Sequence, residues 1–382
     1  MSSSSDIPVK PDVKPSIRVL RCRIKDKHAA MLGKLAREVN LVWNYCNDLS
    51  YRVWQRERRF MSGYDLQKYT NGATKTGLAL HSQTVQAITE QYARSRSQHK
   101  KVRLAWRKSG GTRRSLGWIP FKASALRYRN GQVHFAGVPL SLWDSYGLGN
   151  YDLGVGSISE DSRGRWYLNV TIKVLPKAAF KPAHENVSRS LGIDLGLKDF
   201  AAFSDITLGP IAAPKFYRGA EAALATAQRA GKTRQVKTIH ARISNRRKDF
   251  LHQLSTKAVA GCGAIFVGNV NAAGLAKTRM AKSVLDAGWS SFRTMLKYKC
   301  DDAGVWFEEV DEAYSTQDCS ACEARSGPKG LQALGIREWT CLECGAHHDR
   351  DVNAARNILR RGRATLAVGI PLLPRAGEQP SG

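Results

Sequence analysis

Four cysteines near the carboxyl terminus have the spacing of a metal site. Cys319, Cys322, Cys341 and Cys344 follow the pattern C-x2-C-x18-C-x2-C, whereas the other four cysteines are scattered singly. Two thiolates separated by two residues fit on one tight turn, and a second such turn completes a tetrahedral four-sulfur site of the structural zinc type. Two disulfides are the alternative, but they are typical of secreted proteins. The spacing therefore predicts one structural Zn²⁺ ion in a zinc-ribbon module over 316–348.

Isolated carboxylates in the second half of the chain have the chemistry of a phosphodiester-cleaving site. Asp194 is the only charge in the apolar run LGIDLGL at 191–197, where an ionised carboxylate is costly unless it is paired or binds a metal. Asp351 stands where a final helix begins, in HHDRDVNAARNIL; it could instead cap that helix, and spacing alone does not exclude Asp349. Two Mg²⁺ ions about 3.5 to 4 Å apart need oxygen ligands from separate elements. Asp194 and Asp351 are therefore candidate ligands.

The charge of the chain predicts a polyanionic partner. Among 382 residues, 60 Lys and Arg against 32 Asp and Glu leave a formal net charge of +28, which favours binding to nucleic acid. The longest apolar stretch, 258–268, is too short to span a bilayer, and the first residues show no signal-peptide core. We therefore expect no membrane partner, a cytoplasmic and nucleoid-associated location in a prokaryotic cell, and a monomer.

One basic segment has the composition of a nucleic-acid-binding surface. Between Gln91 and Arg129 there are twelve Lys or Arg and no Asp or Glu, with aromatic residues interleaved. Cations neutralise phosphates and rings stack on unpaired bases, whereas a solvated helix face normally mixes both charges. Nearby uncharged donors can read base edges, although ordinary surface polarity explains them equally well. The predicted nucleic-acid-binding residues are Ser82, Gln83, Gln86, Arg94, Lys100, Lys101, Arg103 and Lys122.

The first half of the chain reads as a β domain interrupted by helices. The segment 17–24 alternates apolar and basic residues, apolar residues then recur every three or four positions from 28 to about 107, and short alternating segments return over 131–174. This pattern predicts a small β-barrel or sheet with an inserted helical lobe. The predicted bounds are 1–15 for a disordered segment, 16–27 and 110–180 for the β domain, 28–109 for the helical lobe and 177–186 for a linker.

The second half alternates strand and helix patterns. In order, we expect a hairpin over 191–204, a basic helix at 220–259, a strand at 264–270, a helix at 282–302, a strand at 305–310, the cysteine module and a helix at 351–361. This order is that of an RNase H-like α/β nuclease domain. Its predicted bounds are 187–315 and 349–363, and 364–382 is expected to be a disordered tail.

Four segments resemble the TnpB proteins, transposon-encoded RNA-guided nucleases related to the type V CRISPR effectors. They are GIDLGLKDFAAFSD, KSVLDAGWSSFRTMLKYK, YSTQDCSAC and HDRDVNAARNIL. The motifs are specific over about 190–360, whereas over 16–180 the match is one of architecture. The resemblance implies a β-barrel wedge domain with a helical recognition lobe and a RuvC-like nuclease domain. It also implies Mg²⁺-dependent cutting of double-stranded DNA that matches a guide RNA from the transposon end, beside a short flanking motif.

The sequence departs from the family where a metal ligand is expected. The family's second motif strand normally ends in Glu, but AIFVGNVNAAG places Gly268 there. The neighbouring strand reads VWFEEVDEAYSTQDC and carries Glu312 where relatives with an intact second motif commonly have Pro. Adjacent strands lie about 4.8 Å apart, so this side chain can reach nearly the same place. We therefore expect Asp194, Glu312 and Asp351 to hold two Mg²⁺ ions.

Several alternatives stay open at the level of sequence. Glu308 and Glu309 compete with Glu312, which is nearer the carboxyl end of the strand, where sites in such sheets collect. If no glutamate has taken the missing position, the chain is an RNA-guided DNA-binding repressor that does not cut. An unguided nuclease or DNA-binding protein is a further alternative. A lesser departure is Glu323, where the family usually has Gly in the turn after Cys322.

Overall fold

The structure is a computed structural model that describes residues 15–75, 77–175 and 189–369. The predicted linker at 177–186, and all but Pro15 of the predicted disordered segment 1–15, lie outside these residues. The chain divides into two compact units, an amino-terminal one at Pro15–Val174 and a carboxyl-terminal one that contains the described residues from Leu175 onward. Among the described residues, the helices are all too short or too polar to cross a bilayer.

The amino-terminal unit contains two antiparallel sheets. Its strands are Ser16–Ile24 (β1), Trp118–Phe121 (β2), Leu126–Arg129 (β3), Gln132–Phe135 (β4), Val138–Leu140 (β5), Leu142–Trp143 (β6), Leu153–Glu160 (β7) and Trp166–Val174 (β8). One sheet has the order β2-β7-β8-β1-β6 and the other the order β3-β4-β5. The expected β-barrel is wrong: within the described residues, the end strands β2 and β6 do not pair with each other. Two-residue β6 is too short to continue the pairing that closure requires.

Between β1 and β2 the described residues form three α-helices, as the helical lobe predicts. They are Ala29–Glu57 (α1), Gly63–Thr70 (α2) and Ser82–Gln98 (α3). Helices α1 and α3 pack together through apolar residues spaced three and four apart, among them Val39 and Trp43 on α1 and Ile88 and Tyr92 on α3. The same core takes in Ile24 of β1. The helical part ends at Gln98, and residues 99–117 contain no helix.

The carboxyl-terminal unit has a mixed sheet at its centre. Its strands are Ser190–Leu195 (β9), Asp199–Phe203 (β10), Ile211–Ala212 (β11), Ala264–Gly268 (β12) and Trp306–Val310 (β13), in the order β11-β10-β9-β12-β13. Strands β9 and β10 form the predicted antiparallel hairpin, and β12 runs parallel to both β9 and β13. The carboxyl ends of β9, β12 and β13 therefore meet at one edge of the sheet.

Among its described residues, this unit also has six α-helices and a small two-stranded sheet. The helices are Phe216–Arg229 (α4), Thr233–Val259 (α5), Ala272–Leu275 (α6), Ala281–Ala287 (α7), Trp289–Ala303 (α8) and Arg350–Gly369 (α9), and the strands are Glu338–Thr340 (β14) and His347–Asp349 (β15). The helices predicted at 220–259 and 282–302 are each interrupted, at Gly231 and Gly288. Both glycines have positive φ angles, +64° and +73°, which end a helix.

The last helix packs against the sheet and is longer than predicted. Its residues Ile358 and Leu366 share an apolar cluster with Phe266 of β12. The helix comes so close to β9 that a Cβ on Gly192 would lie 2.2 Å from the carbonyl oxygen of Ala355. The prediction that a disordered tail begins at 364 is wrong for 364–369. The helix continues to 369, because burial of Leu366 extends its apolar face. Residues 370–382 lie outside the described part.

Candidate functional site

A cavity of about 890 Å³ opens at the sheet edge where β9 and β12 end. Its lining includes Asp194, Glu312 and Asp351, so the structure brings together the three carboxylates that the sequence proposes. The lining also includes five cations, among them Arg337 and Arg350. The arrangement has the composition of a cation-binding site with basic groups around it.

Asp194 lies near the end of β9, level with Gly268. Its neighbour Ile193 pairs with Val267 of β12, so the next residue on each strand stands side by side. Burial raises the pKa of Asp194 to about 8, and the negative charges of Asp351 and Glu312 add to this effect. Three carboxylates held this close repel one another, and a bound cation would remove both the repulsion and the cost of burial.

Glu312 occupies the space that a side chain on Gly268 would fill. A Cβ built on Gly268 would lie 2.5 Å from Oε2 and 3.4 Å from Cβ of Glu312. Glu312 itself comes two residues after the end of β13, whose last residue Val310 pairs with Gly268. Burial raises the pKa of the Glu312 carboxyl, although the positive charge of Arg293 opposes the shift. Gly268 on β12 has no side chain, and the carboxylate of Glu312, which follows β13, occupies the space that such a side chain would fill.

The competing glutamates on β13 have other partners. The carboxylate of Glu309 pairs with Arg293 at 2.8 Å, and Oε2 of Glu308 accepts a hydrogen bond from Nε1 of Trp306 at 3.2 Å. Neither residue lines the cavity. Of the three glutamates, only Glu312 reaches the carboxyl-end edge.

Asp349 caps the last helix, and Asp351 does not. Oδ1 of Asp349 accepts hydrogen bonds from the backbone N–H groups of Asp351 and Val352, both at 2.9 Å. This is the hydrogen bonding of an N-cap residue, so the alternative in which Asp351 caps the helix is wrong. The carboxylate of Asp351 instead points to the cavity, where burial raises its pKa and Arg337 opposes the shift.

An arginine of the cysteine-containing segment pairs with Asp351. Nη1 of Arg337 lies 2.8 Å from one carboxylate oxygen and 3.1 Å from the other. The guanidinium offsets part of the negative charge beside Asp351, which is why it opposes the rise in the pKa of that carboxyl. Carboxylates that come from separate elements to one cavity are the kind of ligand that Mg²⁺ sites use.

Several charged residues that line this cavity were not proposed as site residues from the sequence, among them Arg350, Asp286 and Arg337. Arg350 adjoins Asp351 in a motif already quoted, and Asp286 lies in the motif SVLDAGW, so both had a signal. No sequence motif indicated that Arg337 lies at the cavity, because its position depends on the fold of the cysteine module. Asp286 is buried, and its carboxylate is satisfied by Arg247 at 2.6 Å and by the N–H of Tyr217 at 2.8 Å. It therefore has a structural role.

The four cysteines form a cluster with the size of a zinc site. Their sulfur atoms all lie within 4.8 Å of one another, with 3.7 Å between Cys319 and Cys344 and 3.6 Å between Cys322 and Cys341. Zn–S bonds of about 2.3 Å in a tetrahedron place sulfurs about 3.8 Å apart. A disulfide would require about 2.05 Å, so the disulfide alternative is wrong for these residues. The thiols fit Zn²⁺.

Neighbouring side chains support the thiolates. The hydroxyl of Ser326 donates to Sγ of Cys341 at 3.1 Å, and this hydrogen bond, together with backbone hydrogen bonds at Cys344 and Glu343, lowers the pKa of that thiol to about 6. Nε2 of buried His348 lies 3.0 Å from Sγ of Cys319. Hydrogen bonds of this kind orient metal ligands and favour the deprotonated form that binds the ion.

The residues predicted to bind nucleic acid lie on or just after α3, apart from one at the end of β2. Six of them are exposed: Ser82, Gln86, Arg94, Lys100, Lys101 and Arg103. Gln83 and Lys122 are half-buried; the first accepts a hydrogen bond from Ser124, and the second pairs with Glu90 at 2.8 Å. Arg103 lies over the rings of Tyr51 and Trp106. These six side chains are therefore accessible to solvent, and their binding to nucleic acid stays a prediction.

Several cations in the basic segment have internal roles that composition did not reveal. Arg96 is buried and donates to Ser50 and to the carbonyl of Met61. Arg107 donates to Oδ1 of Asn40 at 2.6 Å, and Arg114 forms a two-bond pair with Glu160. The segment therefore presents fewer free cations than its twelve basic residues indicate.

Comparison with known proteins gives consistent matches along the chain. Residues 169–279 match a family model described as "Probable transposase", and residues 289–358 match one described as "Cas12f1-like, TNB domain". A "Putative RNA-guided DNA endonuclease" of Streptomyces pristinaespiralis is 31% identical over 379 residues, covering 94% of this chain and 92% of that protein. Cas12f1, a CRISPR-associated endodeoxyribonuclease of Sulfoacidibacillus thermotolerans, is 26% identical over 253 residues, 58% of this chain and 56% of its own.

A solved structure shares the fold. The Cas12f1 chain of a complex with guide RNA and target DNA has a TM-score of 0.55 and 13% identity, covering 88% of this chain and 83% of that one. Together with the relatives, it places the protein in a class of multidomain α/β proteins related to RNA-guided DNA endonucleases. Within that class, the chain belongs to the TnpB family, as its motifs indicate.

Proposed function

We propose that the protein is a transposon-encoded, RNA-guided DNA endonuclease that cuts double-stranded DNA matching a bound guide RNA, next to a short flanking motif. Its carboxyl-terminal sheet would be the RuvC-like nuclease domain, with Asp194, Glu312 and Asp351 as metal ligands. We further propose that it acts as a monomer in the cytoplasm, at the nucleoid.

One observation carries the proposal: Oε2 of Glu312 lies 2.5 Å from the place where Gly268 would carry a Cβ. A glycine in the second nuclease motif would by itself indicate a protein that binds but does not cut. Because a carboxylate fills the same space beside Asp194 and within the same cavity as Asp351, the ligand set is complete without a glutamate at 268.

The carboxylates fit the oxygen chemistry of Mg²⁺, which when bound lowers the pKa of water and stabilises the leaving oxygen. The protein's own groups have separate tasks. Asp194, Glu312 and Asp351 supply fixed negative charge from the sheet, from the loop after β13 and from the last helix, respectively. Arg350 and Arg337 line the same cavity and are suited to hold the phosphate backbone near the carboxylates.

The nucleic-acid partners are supported by charge and by relatives. The net charge of +28 fits a partner with many phosphates. A structural neighbour was solved with guide RNA and target DNA, and a relative over nearly the whole chain is named as RNA-guided. Sequence specificity would then come from base pairing with the guide, while the protein reads helix shape and a short motif.

The first experiment measures cleavage by the protein co-expressed with its native downstream flank. We expect a defined RNA to co-purify and the complex to cut a matched target in Mg²⁺. Asp194→Ala and Glu312→Ala should each lower the single-turnover rate by more than about 100-fold. Mutation of a residue that only hydrogen-bonds to a metal ligand typically lowers activity by about 10- to 100-fold, and loss of the ligand itself should cost more. RNA and target binding should be unchanged.

A position swap provides the matched control. Gly268→Glu combined with Glu312→Ala returns the carboxylate to the strand and should recover part of the lost activity, whereas Gly268→Ala alone should reduce activity by displacing Glu312. Guided target binding by a wild-type protein that never cuts in Mg²⁺ would instead establish the repressor. Absence of any defined RNA would favour an unguided protein.

A further inference from the structure

Three polar residues on the last helix face the loop that carries Glu312. Asn353, Asn357 and Arg361 are spaced four residues apart on α9, so they lie along one face of the helix. The loop runs over 311–318, from the end of β13 to the first zinc-site cysteine. All three side chains donate hydrogen bonds to its backbone.

The arginine holds the part of the loop that contains Glu312. Nη1 of Arg361 donates to the carbonyl oxygens of Asp311 and Ala313, both at 2.8 Å. These carbonyls belong to the residues on either side of Glu312. Nη2 of the same guanidinium donates to Oδ2 of Asp318 at 3.0 Å, and the arginine side chain is 26% exposed. One planar group therefore restrains the peptide units around the carboxylate.

The two asparagines hold the other end of the loop. Nδ2 of buried Asn357 donates to the carbonyl oxygens of Ser315 and Asp318 at 2.8 and 2.6 Å, and Nδ2 of buried Asn353 donates to the same two oxygens at 3.2 and 2.8 Å. The loop is thus held at two separate places. The asparagines restrain the approach to the zinc site, and Arg361 restrains the turn at Glu312.

A glutamate at position 268 would be fixed by its strand, which pairs on both sides. Glu312 lies beyond the end of β13 and has no such pairing. A metal ligand must nevertheless be held within a fraction of an ångström to bind well. The contacts of Arg361 supply the restraint that the change of position removed.

We propose that Arg361 is the positioning residue for Glu312, a role that rests on the proposed function. Arg361 does not line the cavity, so it acts through the backbone around Glu312 and does not touch the ions or the substrate. Its rigid fork of N–H groups reaches two carbonyls and a carboxylate at once. A lysine, with one compact ammonium group, can satisfy only part of this set.

The experiment compares Mn²⁺ binding, measured by electron paramagnetic resonance, in zinc-loaded wild type, Arg361→Met and Arg356→Met. Arg356 is exposed on the same helix, so the control removes the same charge away from the loop. We expect Arg361→Met to weaken Mn²⁺ binding by about 10- to 100-fold, the usual cost of removing support from a metal ligand. Arg356→Met should bind like wild type. Zinc content should stay at one ion, because the asparagines still hold the cysteine turn.

A double-mutant cycle separates positioning from general loss of structure. If Arg361 acts through Glu312, Arg361→Met should cause no further loss of Mn²⁺ affinity in a Glu312→Ala background, where the ligand is already gone. Guided cleavage by Arg361→Met should fall most at low Mg²⁺ and recover as Mg²⁺ is raised. Additive losses in the cycle would overturn the role.

Two further outcomes keep this proposal distinct from the proposed function. Wild-type protein that neither binds Mn²⁺ nor cuts would reject the proposed function itself. Wild-type binding and cutting with no change in Arg361→Met would reject only the positioning role. Should Arg361→Met fail to fold, Arg361→Lys decides: intermediate Mn²⁺ affinity supports the role, and wild-type affinity overturns it.

Discussion

At the scale of single residues, burial and mutual repulsion make the ionised form of the cavity carboxylates unfavourable. Burial and two neighbouring carboxylates raise the pKa of Asp194 to about 8, far above the usual value of an aspartate. The pKa values of Glu312 and Asp351 are raised in the same direction. Without a cation, the folded protein therefore binds protons at neutral pH that the unfolded chain has released.

The sign of the pH effect follows from this difference. Between about pH 4 and pH 8 the folded state binds more protons at Asp194 than the unfolded state, so stability falls as pH rises through this window. Asp194→Asn cannot ionise. In zinc-loaded, Mg²⁺-free buffer we expect the Tm of the variant to rise relative to that of wild type from pH 5 to pH 8, with the difference widening by about 4 °C or more, measured by calorimetry.

Addition of Mg²⁺ gives the control for this prediction. Bound ions stabilise the ionised carboxylates, so wild type should gain stability at pH 8 and Asp194→Asn should gain less. A gap between the two proteins that stays constant from pH 5 to pH 8 would contradict the raised pKa of Asp194. Chelators are avoided, since they would also remove zinc.

At the scale of elements, the two cysteine turns have the same geometry but different residues. The residue after the second cysteine of each pair has a positive φ angle, +70° at Glu323 and +72° at Gly345. Only glycine adopts this region without a steric cost. The first turn is therefore strained where the sequence departs from the family's usual glycine. An exposed ion pair between Glu323 and Arg360 offsets little of that cost.

Replacing Glu323 should relieve this strain. We expect Glu323→Gly to stabilise the folded turn by about 0.5 to 1 kcal/mol, because the left-handed cost of about 1 to 2 kcal/mol is partly cancelled by the added freedom of the unfolded chain. Zinc affinity should rise by about two- to fivefold, measured by competition with a chromogenic chelator. Gly345→Ala should lower it by a similar factor. Weaker zinc binding in Glu323→Gly would show that the glutamate has a favourable contact there.

Sequence alone predicts the elements whose signals are local. The hairpin around Asp194 could be predicted from the local pattern of apolar residues, and the zinc site could be predicted from the spacing of the cysteines. The place of Glu312 needed the order of strands, and only the structure shows its contact with Gly268. The cap at Asp349 was left open, because two aspartates two residues apart fit equally well until hydrogen bonds are known. Ion pairs between residues distant in sequence, such as Arg337 with Asp351, could not be predicted from the sequence.

At the scale of the whole molecule, the net charge of +28 is not all available to a ligand. Arg96, Arg107 and Arg114 are used inside the amino-terminal unit, and their partners come from distant parts of the chain. Composition counts these cations, whereas hydrogen bonds and ion pairs within the unit already engage them. Lys100 and Lys101, just after α3, are exposed and so can release counterions from RNA or DNA.

This distribution of charge predicts how RNA binding depends on salt. Each lysine that contacts a phosphate contributes about 0.7 to 0.9 to the slope of log affinity against log salt concentration. The double variant Lys100→Ala, Lys101→Ala should therefore lower the slope for the co-purifying RNA by about 1.4 to 1.8, measured by filter binding over a salt series. Lys122→Ala is the control: its ammonium already pairs with Glu90, so its loss should change the slope by less than about half a unit. Equal effects in the two variants would mean that total charge, not the exposed group after α3, governs binding.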